Sequence, residues 1–333
     1  MVNELIVEKI INDNDIKKLK GNWIDDTFIK YPIINTDTDV YYIENEEKIL
    51  LLKFRKNIIP EELCKLGWKS YKHLAKPSRG RGASAGPIDP DSTYWKSRQV
   101  YNTTKWSTSY VTKKGKISKM KVNNQVLSTP IGYFESSNIS HFKSPCRLTH
   151  FTKENFDKFQ EGFPFIQKIN ELFKELAPQE YKKQFTQTSK QPMFQINNTA
   201  FSTITINRNF RTALHKDAND FKEGFGNLTV LEQGKYSGGY TVFPQFGVGI
   251  DLRQTDFVVM DVHQWHSNTN IYETIPDSKY NETIISDFKD NPKIGTNGIY
   301  KKYTRLSFVC YLREKIIHCD KTDINDKFIT KSK

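Results

Sequence analysis

Two segments decide the fold: NRNFRTALHKDAND at residues 207–220 and FVVMDVHQWHSNT at residues 257–269. In the first segment, His215 and Asp217 lie two residues apart, and side chains with that spacing on a β-strand point the same way. The second segment supplies His266, just after an apolar run that has the composition of a buried strand. Two histidines and one carboxylate are the ligand set of non-haem Fe(II) oxygenases built on a double-stranded β-helix, and they leave positions open for a co-substrate and O2. We therefore predict an iron site at His215, Asp217 and His266.

A third segment at residues 304–313 strengthens this interpretation, because its apolar and polar side chains alternate as on a half-buried strand. One face carries Leu306, Phe308, Cys310 and Leu312, and the other carries Arg305, Ser307, Val309, Tyr311 and Arg313. Arg305 and Ser307 place a permanent cation and a hydroxyl on one face, which suits a carboxylate held by forked, charge-assisted hydrogen bonds. An Arg-x-Ser pair on the last core strand is the usual anchor for the distal carboxylate of 2-oxoglutarate, so we predict that Arg305 and Ser307 bind this co-substrate.

Short predicted strands separated by glycine, proline and asparagine dominate the chain. They are expected at residues 40–43, 49–54, 201–207, around His215 and Asp217, and at 228–231, 239–243, 247–252 and 257–261. Apolar side chains at helical spacing over residues 156–176 predict helices interrupted at Pro164, with Thr152 as the N-cap and Pro178 after the end. This pattern predicts a mainly β, α+β protein with a double-stranded β-helix (jelly-roll or cupin-like) core and flanking helices.

Composition divides the chain into three parts. Residues 1–75 are expected to form an N-terminal flanking region packed on the core. Residues 76–317 form the predicted dioxygenase domain, with its core at 197–313, and residues 318–333 form a charged tail.

The 333 residues carry a formal net charge of +12, with a pI near 9.2. This balance suggests a polyanionic partner, and nucleic acid is the first candidate. Charged residues interrupt every apolar stretch before it reaches the length of a membrane span, and they also interrupt the first residues of the chain. We therefore expect neither a membrane span nor a secretory signal. The four cysteines lack zinc-site spacing and read as reduced thiols of an intracellular protein.

A loop of small residues at 76–87 carries Arg79 and Arg81 between flanking aromatic residues. Its glycines and alanines are typical of a flexible linker, whereas basic residues interleaved with aromatics are typical of surfaces that contact nucleic-acid phosphates or bases. Both interpretations stay open on the sequence. The lysines at 113–116 and 119–121 are expected to form the solvated tip of a hairpin.

Several motifs resemble the oxygenases of the ten-eleven-translocation and J-binding-protein (TET/JBP) group, over about residues 78–313. They are the segments 199–207, 215–220, 224–226, 238–239, 243–244, 265–269 and 305–307. The resemblance implies an enzyme that uses Fe(II), 2-oxoglutarate and O2 to hydroxylate the 5-methyl group of thymine or 5-methylcytosine in double-stranded DNA, with the base flipped out of the duplex. His263 also follows the buried strand, but the Ser-Asn-Thr run after His266 matches the ligand position of the family.

The resemblance also suggests side chains that contact the base: Asn219, Asp220, Tyr311 and Arg313. Related enzymes of the methylcytosine branch carry a histidine where this chain has Arg313, so the identity of the base stays open. Two other functions are compatible with the residues. One is a 2-oxoglutarate-dependent hydroxylase of a protein side chain or small molecule, and the other is a binding module that keeps the fold without turnover. The oligomeric state stays open as well.

Overall fold

The structure, a computed structural model, describes residues 1–112, 114–135, 146–288 and 302–319. The predicted charged tail therefore lies outside the described residues except at its first two positions. Of the residues between His266 and Arg305, the structure describes those up to residue 288 and those from residue 302 onward.

Short strands make up most of the described chain. They are β1 (Asn3–Val7), β2 (Thr38–Glu44), β3 (Glu47–Arg55), β4 (Pro77–Ser78), β5 (Val100–Tyr101), β6 (Ser109–Tyr110), β7 (Val126–Glu135), β8 (Cys146–Leu148), β9 (Thr203–Arg208), β10 (Gly226–Gln233), β11 (Ser237–Gly238), β12 (Thr241–Phe243), β13 (Val248–Ile250), β14 (Phe257–Met260), β15 (Ser267–Asn268), β16 (Ile271–Tyr272) and β17 (Thr304–Tyr311). The helices are α1 (Asp13–Lys18), α2 (Glu61–Tyr71), α3 (Thr93–Lys96), α4 (His150–Glu154), α5 (Phe156–Glu161), α6 (Phe163–Leu176), α7 (Pro178–Ser189), α8 (Ile275–Asn281) and α9 (Glu314–Ile317).

One large sheet is the main element of the fold. Across the described residues its strands run in the order β1-β2-β3-β14-β10-β17-β9-β7-β4, with β8 paired to β7. The strands predicted at residues 40–43 and 49–54 are confirmed as β2 and β3, which pair antiparallel, and β3 pairs in turn with β14. The N-terminal strands are therefore an extension of the main sheet.

A smaller sheet with the order β13-β12-β15 packs against one end of the large sheet. Phe243, Val248 and Ile250 of the small sheet share an apolar cluster with Val230 and Val258 of the large one. Burying these side chains between two sheets removes apolar surface from water and holds the sheets together. The prediction of a mainly β core made of short strands is confirmed.

The helices cover the other face of the large sheet. Phe308 on β17 is 1% exposed and lies against Tyr71 of α2 and Phe165 of α6, with ring centroids 5.8 and 5.4 Å apart. The alternation predicted for residues 304–313 is confirmed, because Leu306, Phe308 and Cys310 all belong to this helix-covered cluster. The polar side chains of β17 consequently face the space between the two sheets.

Three local predictions are wrong. His215 and Asp217 do not lie on a regular strand, since the backbone there makes only an isolated bridge from His215 to His266. Thr149 rather than Thr152 caps α4, because the Thr152 hydroxyl accepts a hydrogen bond from the Gly132 amide of β7 at 2.7 Å. Pro178 begins α7 instead of following the last helix, and proline is well suited to the first turn. The predicted interruption at Pro164 is confirmed, because α6 begins at Phe163.

Cys146 and Cys319 form a disulfide, with Cα atoms 6.0 Å apart, so the expectation of reduced thiols is wrong for this pair. The two residues are 173 positions apart in the sequence, and the packing of α9 against β7 brings them together. No sequence spacing reveals such a contact. Cys64 and Cys310 are buried free thiols.

In the part of the chain that the structure describes, every helix is too short or too polar to cross a lipid bilayer.

Replacing Phe308 with alanine should lower the free energy of unfolding by about 3–5 kcal/mol, because it leaves a cavity between the sheet and two helices. Urea denaturation monitored by circular dichroism measures this change. Ile285→Ala is the control, since Ile285 is 92% exposed and its loss should cost less than about 0.5 kcal/mol. Similar midpoints for the two variants would contradict the packing described here.

Candidate metal centre and its pocket

His215, Asp217 and His266 bring their side chains to one point between the two sheets. One ligand atom from each residue lies within 4.8 Å of the other two. Nε2 of His215 lies 3.4 Å from Asp217 Oδ1, and Nε2 of His266 lies 3.8 Å from Asp217 Oδ2. Two imidazole nitrogens and one carboxylate at this spacing can serve as three ligands of a single cation.

Backbone hydrogen bonds hold the two histidines together. The amide of His215 donates to the carbonyl of His266, and the amide of His266 donates back, both at 3.0 Å. The Asp217 amide donates to the Val262 carbonyl at 3.1 Å. Residues from two distant parts of the chain are therefore fixed in register without a continuous strand.

Both imidazole rings are oriented by carbonyl oxygens. Nδ1 of His215 lies 2.8 Å from the Ala213 carbonyl, and Nδ1 of His266 lies 2.9 Å from the Gln264 carbonyl. A carbonyl only accepts hydrogen bonds, so each Nδ1 carries a proton, and the Nε2 atom of each ring is the one that faces Asp217. Histidine ligands of metal ions are usually held in this way.

The electrostatics of the cluster also suit a cation. Burial, together with the neighbouring His215, lowers the pKa of His266 to about 4, so its imidazole is neutral at neutral pH. Burial alone would raise the pKa of the Asp217 carboxyl, but hydrogen bonding to His215 outweighs it and brings the pKa to about 2. The same hydrogen bond raises the pKa of His215 against the effect of burial. An ionised carboxylate is thus present between two imidazoles.

Arg305 and Ser307 lie on the same pocket wall. Arg305 is 3% exposed, and its Nε and Nη2 atoms are buried without a hydrogen-bond partner among the described residues. A buried guanidinium with free donors is costly unless an anion completes it. The Ser307 hydroxyl accepts a hydrogen bond from Asn207 Nδ2 at 3.2 Å, which leaves its own proton available to a ligand. Both residues fit the distal carboxylate of 2-oxoglutarate.

These residues line a cavity of about 450 Å³. Asn219, Asp220, Tyr311 and Arg313, the predicted base contacts, line it as well. Asn219 is exposed, whereas Asp220 is 9% exposed and its Oδ2 has no partner within the described chain. Burial, and then the charge of Asp217, raises the pKa of Asp220 well above its ordinary value. The hydroxyl of Tyr311 lies 3.2 Å from Thr205 Oγ1.

Arg313 is already paired in the structure. Its Nε donates to Glu135 Oε2 at 2.6 Å and its Nη2 donates to Oε1 of the same carboxylate. The guanidinium also lies over the Phe134 ring, 3.8 Å from the centroid. Arg313 is therefore held rigidly at the pocket by two residues at the end of β7.

The structure separates the two arginines of the small-residue loop. Arg81 lines the cavity, its Nη2 is buried without a partner among the described residues, and burial lowers its pKa. Arg79 instead donates to Gln125 at 3.0 Å and packs on the Tyr94 ring, 5.2 Å from its centroid. Residues 82–85 form a 3-10 turn. The loop is thus a folded part of the pocket wall.

His263 lies outside the cluster. Its Nε2 is 3.1 Å from the Phe221 carbonyl, so this imidazole is occupied by a backbone hydrogen bond. Of the two histidines that follow β14, His266 is the one that the structure places beside His215 and Asp217.

Other pocket residues were not singled out by sequence reasoning. Thr205 and Asn207 line the cavity from β9, and Lys20 reaches it from the N-terminal region. The alternation of Thr205 and Asn207 with Ile204 and Ile206 carries a signal for β9, since it gives one polar face. Lys20 has no local signal, because it comes from a long-range contact.

Comparison with known proteins gives the family. The family model Tet_JBP matches residues 129–314 and is described as the oxygenase domain of the 2OGFeDO superfamily. The chain belongs to this family. Membership implies Fe(II) and 2-oxoglutarate, with O2 as co-substrate, and a double-stranded β-helix fold as predicted.

Individual relatives match a similar part of the chain. Thymine dioxygenase JBP1-A of Trypanosoma cruzi is 36% identical over 187 residues, which is 56% of this chain and 19% of that protein. Thymine dioxygenase JBP1 of Trypanosoma brucei brucei is 33% identical over 174 residues, 52% of this chain and 20% of that protein. The chain spans about a fifth of the length of these relatives. A solved structure of NgTET1 in complex with 5mC DNA is 12% identical, with a TM-score of 0.46, and covers 93% of this chain and 94% of that chain.

Replacing Asp217 with alanine should weaken binding of Mn2+, a stable substitute for Fe(II), by at least about 100-fold, because loss of a ligand exceeds loss of an outer partner. Electron paramagnetic resonance of Mn2+ titrated into the protein measures the affinity. Asp220→Ala is the matched control, since it removes a pocket carboxylate that lies outside the three-residue cluster. Equal affinities for the two variants would place the metal elsewhere.

Proposed function

We propose that this chain is an Fe(II)- and 2-oxoglutarate-dependent dioxygenase that hydroxylates the 5-methyl group of a pyrimidine, thymine or 5-methylcytosine, in DNA. The observation that carries the proposal is the presence of two features in one cavity: the His215–Asp217–His266 cluster, and the Arg305 guanidinium, whose Nε and Nη2 have no hydrogen-bond partner among the described residues. Relatives of the chain are named thymine dioxygenases, and these names support DNA as the substrate.

The residues of the cavity fit the two groups that the family implies. His215, Asp217 and His266 would hold Fe(II), and Arg305 with Ser307 would bind the distal carboxylate of 2-oxoglutarate. When bound, iron and 2-oxoglutarate supply the oxidising power that the protein side chains lack. The chain orients both histidines through the carbonyls of Ala213 and Gln264.

The same cavity offers contacts for an extruded base. We assign contacts with the edge of the base to Asn219, Asp220, Tyr311 and Arg313, because they line the cavity beside His215, Asp217 and His266. Arg313 only donates hydrogen bonds and so suits a carbonyl oxygen of the base, while the Glu135 pair fixes its direction. A base buried in this way must leave the duplex stack. A DNA substrate also implies an intracellular location.

Incubation of the protein with methylated duplex DNA, Fe(II) and 2-oxoglutarate should yield a 5-hydroxymethylpyrimidine, detected by mass spectrometry of the nucleosides. Succinate should form in equal amount. Asp217→Ala should abolish both products, because it removes the carboxylate of the metal site. Succinate formation that depends on an added protein or small molecule, without a modified nucleoside, would show a different substrate.

Replacing Arg305 with glutamine should raise the 2-oxoglutarate concentration for half-maximal rate by about 10- to 100-fold, since it removes charge-assisted hydrogen bonds to the distal carboxylate. Initial rates of succinate release at varied 2-oxoglutarate measure the effect. Arg208→Gln is the control, because Arg208 packs over the Phe288 ring, 4.1 Å from its centroid, and does not line the cavity. An unchanged requirement in Arg305→Gln would assign the carboxylate to another residue.

A further inference from the structure

The positive charge of the chain is concentrated in one segment. Residues 92–134 contain no aspartate or glutamate and carry eight lysines and arginines, two thirds of the net charge of +12. Five of the eight are lysines between positions 113 and 121. A block of like charge of this density is typical of a surface that meets a polyanion.

Four of these lysines, at positions 114, 116, 119 and 121, belong to a hairpin formed by the described residues 108–112 and 114–122, here named the lysine hairpin. Its arms are joined by bridges from Thr108 to Val122 and from Val111 to Ile117. The turn closes where the Thr112 amide donates to the Lys116 carbonyl at 2.8 Å, around Gly115 with a positive φ of 72°. Lys114, Lys116, Lys119 and Lys121 are all exposed, and none of these four pairs with a carboxylate of the described chain.

Two apolar side chains project among these lysines. Met120 is 75% exposed and Ile117 is 51% exposed. The backbone beside Met120 is fixed, since its amide donates to Ser118 Oγ at 3.1 Å and the Ser118 amide donates to the Tyr110 carbonyl at 2.9 Å. Apolar tips held on an ordered turn, surrounded by cations, have the composition of wedges that enter a base stack.

The base of the lysine hairpin is attached to the wall of the cavity. The Asn123 amide donates to the Arg79 carbonyl at 3.0 Å, and Asn123 Oδ1 accepts from the Gly82 amide at 2.7 Å. Those bonds grip the loop that carries Arg81 into the cavity. On another side, Lys20, which also lines the cavity, lies over the Trp106 ring, 5.5 Å from its centroid. The hairpin therefore leaves the molecule beside the cavity lined by His215, Asp217 and His266.

We propose that the lysine hairpin is the element that binds the DNA duplex, with its lysines on the phosphates and Met120 in the base stack beside the extruded nucleotide. This inference rests on the proposed function, because the gap that Met120 would fill arises when the enzyme extracts a base. The occupant is double-stranded DNA, since exposed apolar tips among lysines suit a stack of bases between two phosphate backbones.

The lysines are tested by the salt dependence of binding to a fluorescein-labelled duplex of two helical turns, measured by fluorescence anisotropy. Lys119→Gln with Lys121→Gln should weaken binding at low salt and reduce the slope of log K against log salt by roughly two, since each phosphate contact contributes about 0.9. Lys174→Gln with Lys182→Gln removes the same charge from exposed positions on α6 and α7 and should leave the slope unchanged. Equal slopes for both double variants would overturn the proposal.

Met120 is tested by turnover on two substrates. Met120→Ala should reduce kcat/KM on a fully paired duplex by about tenfold, because the unstacked gap is no longer filled. On the same duplex with an abasic site opposite the methylpyrimidine the loss should be below about twofold, since that base is already unpaired. Ile275→Ala, which truncates a side chain that is 77% exposed on α8, should leave both values unchanged. Equal losses on the two substrates would exclude a wedge.

The two proposals fail in distinguishable ways. A wild-type protein that modifies no methylpyrimidine in any duplex would overturn the proposed function. A wild-type protein that does so, and whose hairpin variants bind and turn over duplex DNA like their controls, would overturn the role of the lysine hairpin alone.

Discussion

The pair of backbone hydrogen bonds between His215 and His266 is the constraint on which the site depends. These two bonds join the irregular segment around His215 to the residues that follow β14, and both measure 3.0 Å. Because each histidine is then tied by Nδ1 to a carbonyl two residues before it, ring orientation follows directly from backbone position. The three-residue site is therefore built mainly by main-chain geometry, and the ionised Asp217 stands between two rings whose Nε2 atoms face it.

The strand β17 connects this cluster to the rest of the fold. Its apolar side chains lie against α2 and α6, while its polar side chains line the cavity, so one period-two pattern builds both core and site. A shift of one residue in register would expose Phe308 to the cavity and bury Arg305 against the helices. The helix-side packing thus fixes the position of the guanidinium, whose Nε and Nη2 are buried without a partner among the described residues.

Sequence patterns predicted what depends on local periodicity and missed what depends on distant contacts. The alternation at 304–313 is confirmed because a period of two directly sets which face is buried. The strands predicted at 40–43 and 49–54 are confirmed because short apolar and aromatic runs of this kind favour strands. The segment around His215 is not a strand, since long-range bonds to Val262 and Leu312 take the place of a ladder. Lys20, the Glu135 partner of Arg313 and the Cys146–Cys319 disulfide were missed for the same reason: none has a local signal.

Positive charge is distributed unevenly along the chain relative to the residues of the site. His215, Asp217, His266 and Arg305 all lie within residues 129–314, the part that matches the family, and the iron and the diacid that the family implies would balance their charges close to the site. Most of the excess cations lie before that part, in a segment without a carboxylate, and Lys20 and Arg81 bring two of the earlier cations to the cavity itself. Arg81 Nη2 is buried there without a partner among the described residues, and a buried cation of this kind favours an anion at the same opening. The proposed DNA substrate, with phosphates on both sides of its reactive base, would supply that anion, whereas a neutral small molecule would not.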